Sequence, residues 1–211
     1  MKRAMILVLT FFVVLAGVSM FGCASKAPAD PEPAATNTPT TEPTPVPTVY
    51  DFSAAGQVSD WGNDTYETTL AITAVSHADS GGEAGDGALR ATADLNNTTP
   101  GYNQGAVMRT AAMDLTGRTI SVKMYIPAGL ISADADNPNE VALYIQGKSD
   151  WSGWSDEGTN LDSAMADSWQ TFTFTPDVDW IGEVQRIGVQ VRIKETSADY
   201  TGDIDFDEIK W

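Results

Sequence analysis

The sequence predicts an all-β fold for residues 50–211, a two-sheet antiparallel β-sandwich of the jelly-roll type with about eight or nine strands. Three observations predict it: apolar residues recur with a period of two, clusters of Gly, Asp, Asn and Pro separate the runs, and no long helical pattern intervenes. The clearest runs are Ile120, Val122, Met124 and Ile126, then Val141, Leu143 and Ile145, then Ile187, Val189, Val191 and Ile193. Each alternates with Ser, Lys, Tyr, Gln or Arg, the signature of a half-buried strand. Weaker runs occupy Thr68 to Val75, Ala88 to Leu95, Ala106 to Ala112, Gln170 to Thr175 and Ile204 to Trp211. In the last of these, Ile204 and Phe206 have one parity and Ile209 and Trp211 the other. Both pairs reach one core only if a residue is inserted near Asp207-Glu208, which predicts a β-bulge there.

The N-terminal segment is organised differently. Lys2 and Arg3 precede an apolar run from Ala4 to Gly22, the layout of a secretory signal, so the chain is expected to be exported. Cys23, the only cysteine, stands where the run ends, and the surrounding Met20-Phe21-Gly22-Cys23 resembles a bacterial lipobox. It departs from that pattern where Met20 and Phe21 replace the preferred Leu and small residue. On this reading residues 1–23 are a signal peptide, Cys23 is lipidated, and the protein is held to the membrane at the cell surface. Two alternatives stay open: an uncleaved anchor, since Ala4 to Gly22 approaches the ~20 apolar residues that span a bilayer, or secretion with Cys23 removed. Residues 24–49 follow as a linker in which Pro and Thr dominate, a composition that buries no core and favours extended polyproline conformations. At ~3.1 Å per residue such a stalk reaches on the order of 70 Å.

The folded part is strongly acidic. From Tyr50 to Trp211 there are 26 acidic and 9 basic residues, which makes nucleic acid and anionic lipid poor partners and leaves neutral polymers and cations such as Ca²⁺ open. Without a cysteine beyond Cys23, this exported domain must rely on its core rather than on disulfides.

A family resemblance rests on an ordered series of short elements. Tyr50-Asp51-Phe52, Trp61, Gly87-Ala88-Leu89, the strand Ile120 to Ile126 closed by Pro127, Tyr144-Ile145-Gln146 running into Trp151-Ser152-Gly153-Trp154, Trp169 before Phe172 and Phe174, Ile187-Gly188-Val189-Gln190, and Asp205-Phe206-Asp207-Glu208-Ile209 follow one another. Together they resemble the β-sandwich carbohydrate-binding modules appended to bacterial mannanases and endoglucanases. The resemblance implies a non-catalytic domain that recognises a β-linked polysaccharide of mannan or glucan type. It also implies a structural Ca²⁺ near the bulge of the last strand, with Asp207 and Asp51 as its ligands; Ser53, where such modules often carry an acidic residue after the Phe, departs from the pattern.

Sugar recognition needs flat aromatics for the C–H face of the ring and planar polar groups for its hydroxyls. If the apolar parity faces the core, the outward rows read Ser121, Lys123, Tyr125, then Tyr144, Gln146, Lys148, then Gln190, Arg192, Lys194. The expected carbohydrate-binding residues are therefore Lys123, Tyr125, Tyr144, Gln146, Gln190 and Arg192. Trp151 and Trp154 join them, since they sit in a Gly/Ser/Asp-rich stretch without aliphatic neighbours to pack against, read here as a loop at the groove's edge. Trp61, Trp169 and Trp211 are assigned to the framework. Oxygen-rich stretches at Asp134 to Glu140 and Asp203 to Asp207 suit Ca²⁺ chemically but also read as solvated loops.

Two further readings differ in class. The sandwich serves as a structural or adhesive surface protein for a protein partner, or it is a glycoside hydrolase using Asp203, Asp205 and Asp207. The hydrolase reading is the weaker one: the acidic run lacks the leading Glu of sandwich-type glucanases, and His77, the only histidine, has no recognisable nucleophile partner.

Overall fold

In the computed structural model the described residues are 48–63, 71–96, 102–147, 153–178 and 183–211. The alternating runs become strands, and they divide between two antiparallel sheets. In chain order the strands are β1 (Val49–Tyr50), β2 (Trp61–Asn63), β3 (Ile72–Ala78), β4 (Ala88–Leu95), β5 (Tyr102–Met113), β6 (Ile120–Ile126), β7 (Glu140–Gly147), β8 (Gly153–Asn160), β9 (Ser168–Phe174), β10 (Val184–Lys194) and β11 (Tyr200–Lys210). One sheet runs β3-β4-β11-β6-β9, with β1 added on β11; the other runs β2-β5-β10-β7-β8.

The core lies between the sheets and is built from one parity of each strand. Leu89, Ala91, Ala93 and Leu95 of β4, Ile120, Val122, Met124 and Ile126 of β6, and Phe172 and Phe174 of β9 face Val141, Leu143 and Ile145 of β7 and Ile187, Val189, Val191 and Ile193 of β10. Each such aliphatic or aromatic side chain removed from water contributes ~1.5–3 kcal/mol, which is how the domain is held without disulfides. The expected bulge is present: the β11–β6 register shifts between Phe206 and Glu208. Because of that shift, Ile204 and Phe206 before it and Ile209 and Trp211 after it are all buried.

The N-terminal side of the domain is tied to its C-terminal end. Thr48 N donates to Trp211 O (2.9 Å) and Trp211 N to Thr48 O (3.1 Å), extending the β1–β11 ladder. Tyr50 stacks on Trp211 at 5.8 Å and meets Trp61 edge-on at 5.6 Å. The Arg109 guanidinium lies 5.3 Å from the Tyr50 ring centre and 5.9 Å from that of Trp211, a cation–π arrangement. Trp61 and Trp211 are thus framework residues, as expected, and Trp169 is half-buried against Tyr125.

Three of the eleven strands lie outside the predicted runs: the short β1 and β2, and β8. Residues 153–160 form β8, the edge of the five-stranded sheet, where the sequence reading has a loop. Its Gly, Ser, Asp and Glu content hides it, because an edge strand with one exposed side needs little apolar alternation. No helix among the described residues is long and apolar enough to cross a membrane. The expectations for Cys23, the signal segment and the stalk fall outside the described residues.

Candidate functional site

The outward parity of the five-stranded sheet brings together a set of planar polar and aromatic residues by register alone. Arg186 of β10 lies between Thr110 of β5 and Gln146 of β7, and Gln146 pairs with Trp154 of β8. One step along, Gly188 lies between Met108 and Tyr144, with Asp156 beyond. The next row is Ala106, Gln190, Ala142 and Gly158, and the last is Gln104, Arg192, Glu140 and Asn160.

This outward face is sunken. Gln146, Gln190 and Arg192 are only 6%, 4% and 7% exposed although none of them points into the core. The cause is a floor of small residues, Ala106, Ala142, Gly158 and Gly188, from which the longer side chains rise and shelter one another. Gly188 has no room for more: a Cβ there would sit 2.6 Å from Met108 Cγ and 2.8 Å from the Val107 carbonyl. The sheltered groups are bonded into a network, as buried polar groups must be. Arg192 Nη2 donates to Gln190 Oε1 (2.7 Å), and Arg186 Nη1 to Gln146 Oε1 (3.3 Å). Glu140 takes Lys194 Nζ at 2.8 Å and faces Arg192 Nη1 at 3.5 Å.

At the β2 edge the face opens into a cleft of about 320 Å³ walled by Asp60, Trp61, Gly62, Met108, Thr110 and Arg186. Tyr50 OH donates to Asp60 Oδ2 (3.0 Å), and Arg109 Nε lies 3.8 Å from the same oxygen. Burial and the bond to Asp60 together push the Tyr50 hydroxyl above its usual range. The buried Trp61 indole N–H has no hydrogen-bond partner.

The expected site residues separate into two groups. Tyr144, Gln146, Gln190 and Arg192 share the five-stranded face. Lys123 and Tyr125 do not: β6 belongs to the six-stranded sheet, so their outward parity puts them on the opposite side of the sandwich. That part of the expectation is corrected, because alternation sets the parity of a strand and not the sheet it joins. There Lys123 pairs with Glu83 and with Asp207 (3.1 Å), which raises its pKa, and Tyr125 meets Trp169 edge-on at 5.8 Å. Trp154 takes its place on β8 opposite Gln146. Trp151 and Lys148 lie outside the described residues.

Arg186, Met108 and the Asp60–Trp61 wall were not singled out from sequence. Arg186 has the parity of Gln190 and Arg192, and it was passed over because the apolar run begins one residue later, at Ile187.

The acidic stretches resolve into distinct roles. Asp205 receives Arg90 through two bonds of 2.7 Å, and Thr92 Oγ1 donates to Asp203 (2.9 Å), so the C-terminal run is engaged across strands β4 and β11. Asp134 accepts from Asp136 N and Asn137 Nδ2, and its carboxyl is held below the usual range chiefly by Asn137. Asn139 is a buried brace, receiving Lys194 N and Ser197 Oγ and donating to Leu130 O. Among the described residues no group of three or more His, Cys, Asp or Glu side chains clusters as a metal site.

Asp207 lies beside Gly82: a Cβ there would meet Asp86 Oδ1, the Gly87 carbonyl at 2.8 Å and Asp207 Oδ1 at 3.0 Å, which leaves no room for a side chain. Asp51, the other expected ligand, is exposed, and its Oδ1 receives Ser53 N and Oγ; those two bonds hold its carboxyl below the usual range.

No protein-family model and no curated protein sequence matches the chain. Solved structures do match in fold. A carbohydrate-binding module of Caldicellulosiruptor saccharolyticus, CBM27-1, in complex with mannohexaose superposes with a TM-score of 0.56 at 18% identity, covering 79% of this chain and 97% of that one. The xylan-binding module CBM15 gives 0.51 at 16% identity over 78% of this chain and 94% of its own. TmCBM27, described for its specific mannan recognition, gives 0.50 at 18% identity over 77% and 94%. The fold is that of the β-sandwich carbohydrate-binding modules.

Proposed function

We propose that this chain is a non-catalytic polysaccharide-binding surface lipoprotein whose binding face is the outer side of the five-stranded sheet. The observation that carries the reading is the sheltered row of Gln146, Gln190 and Arg192 beside Tyr144, over a floor of Ala and Gly. A solvated sheet face has no need to sink its planar polar groups. An extended sugar chain uses such groups for paired hydrogen bonds and an aromatic for stacking. Trp154, opposite Gln146 on the neighbouring edge strand, is read as a second aromatic, and Trp151, outside the described residues, is proposed with it. The fold supports the same class, since the modules it matches are described with mannohexaose, mannan and xylan.

Cys23 carries the lipid and the Pro/Thr-rich stalk gives the module reach from the membrane. One Ca²⁺ is held near the bulge of β11 by Asp207, with Asp51 on the adjoining chain start as its second ligand. Catalysis has no role in this reading: the carboxylates of the C-terminal run are paired with Arg90, Thr92 and Lys123 on the opposite face.

Affinity electrophoresis through gels containing mannan, β-glucan or xylan tests the reading. Retention by at least one polymer, abolished by Trp154→Ala, is the expected result. Unchanged mobility in all three, together with capture of a surface protein, returns the domain to the adhesive class; release of reducing sugar that is lost on Asp205→Asn makes it a hydrolase.

A further inference from the structure

The charge of the binding face runs against the charge of the domain. Acidic residues outnumber basic ones 26 to 9 between Tyr50 and Trp211, and the outward parity of the six-stranded sheet follows that excess. Asp94, Asp203, Asp205, Asp207 and Glu208 there outweigh Arg90, Lys123 and Lys210. On the five-stranded sheet the acidic excess is gone. Arg186, Arg192 and Lys194 all project from the outward parity of the central strand β10, and the same face carries only Glu140 and Asp156 at its register positions.

Two of those cations share one carboxylate, Glu140, with Lys194 at 2.8 Å and Arg192 at 3.5 Å. Asp60, the acid in the cleft at the β2 edge, already faces Arg109 and accepts from Tyr50. Two N–H groups remain in the walls of that cleft, since the Asn63 amide is given to Ile72 O: the Arg186 guanidinium, which also donates to Gln146, and the buried Trp61 indole, whose N–H has no partner. A neutral sugar offers hydroxyls that donate as well as accept, and it carries no charge to answer a guanidinium. A carboxylate offers acceptors only, and a guanidinium beside a second N–H is the arrangement that recognises it.

Resting on the polysaccharide-binding reading above, we infer that the polysaccharide is acidic: a uronic-acid carboxylate is received at Arg186 beside Trp61, while the Arg192–Lys194 end of the face attracts the next charged sugar. The shared chemistry is the sugar carboxylate, whether it belongs to the backbone of a uronan or to a uronate branch on a neutral chain.

Affinity electrophoresis of the full chain tests this with polygalacturonate (backbone carboxylate), glucuronoxylan (branch carboxylate), the carboxyl-reduced form of each, and unsubstituted mannan and xylan. Retention by at least one acidic polymer is expected to exceed that by its reduced form about tenfold and to weaken as salt is raised. The polymer that retains the protein identifies backbone or branch. Arg186→Gln is expected to lower the acidic retention by about the same factor with the melting midpoint held; Lys194→Gln, whose ammonium is already on Glu140, gives a smaller loss. If Arg186→Gln fails to fold, the comparison of native with carboxyl-reduced polymer on the unmutated chain decides alone. Equal retention of native and reduced polymers, or retention by mannan alone, overturns the acidic inference and leaves the polysaccharide reading standing. No retention by any of the six, nor by β-glucan, overturns both.

Discussion

The outer faces of the two sheets are made by the same alternation and yet have opposite characters. On the six-stranded sheet, Arg90 grips Asp205, Thr92 donates to Asp203 and Lys123 meets Asp207, in side-chain pairs that solvent reaches. Exposed pairs of this kind contribute little each, and they mark a face that satisfies itself. On the five-stranded sheet, Gln146, Gln190 and Arg192 are withdrawn from solvent above Ala and Gly, with aromatics at hand. Polar groups are costly to bury unless bonded, and these too bond one another, so the contrast lies in shelter and not in unmet bonds. Outward parity alone therefore does not separate the two faces; shelter does, and it is the ground on which the five-stranded face is proposed to bind.

The largest effect expected from breaking this contrast is on binding. Tyr144→Ala should weaken polysaccharide retention by on the order of tenfold or more, while Tyr125→Ala and Trp169→Ala, an aromatic pair of the same size on the other sheet, should leave it unchanged; affinity electrophoresis of the three variants side by side reads both. Next in size is the metal. Calcium at a hundredfold excess over its dissociation constant should stabilise the domain by about 2.7 kcal/mol, visible as a higher melting midpoint that EGTA reverses and Asp207→Asn removes. An unmoved midpoint would falsify the calcium site at Asp207.

Gly188→Ala sharpens the contrast at the groove floor. Its added methyl meets Met108 and the Val107 carbonyl, and a cost of ~1–3 kcal/mol in denaturant unfolding is expected for such overpacking.

The smallest effect concerns pH. Burial pushes the Tyr200 hydroxyl up to about 12 from its ordinary 10.0. A pKa raised in the folded state means the fold holds its proton longer than the unfolded chain, so this contribution is intact below pH 10 and is lost as pH rises toward about 12. Tyr200→Phe should flatten that alkaline limb of the stability curve, at the loss of the bond to Asp203 O (2.8 Å); an alkaline limb of unchanged slope would contradict the assignment.

Much of the fold was legible because a half-buried strand writes its period into the sequence. Ile120 to Ile126 and Ala88 to Leu95 match their strands residue for residue, and the parity break between Phe206 and Ile209 announced the bulge. What alternation does not carry is sheet membership. Lys123 and Tyr125 had the right parity and the wrong sheet, since which strands neighbour one another depends on crossovers far apart in the chain. The edge strand carrying Trp154 was missed for a different reason: its Gly, Ser and Asp content reads as loop, and only pairing with β7 makes it a strand. Arg186 lay one residue outside an apolar run, where a strand's first polar position is easily assigned to the turn.

The central claim is that the five-stranded face, and not its counterpart, holds polysaccharide. The most direct measurement is an NMR titration of the protein with soluble manno-, gluco-, xylo- and uronate-bearing oligosaccharides, following assigned side chains on both sheets. The account predicts saturable shifts at Tyr144, Gln146, Gln190, Arg186 and Arg192 with none at Tyr125, Trp169 or Arg90. Shifts gathered at Tyr125 and Trp169, or no shift with any sugar, would contradict it.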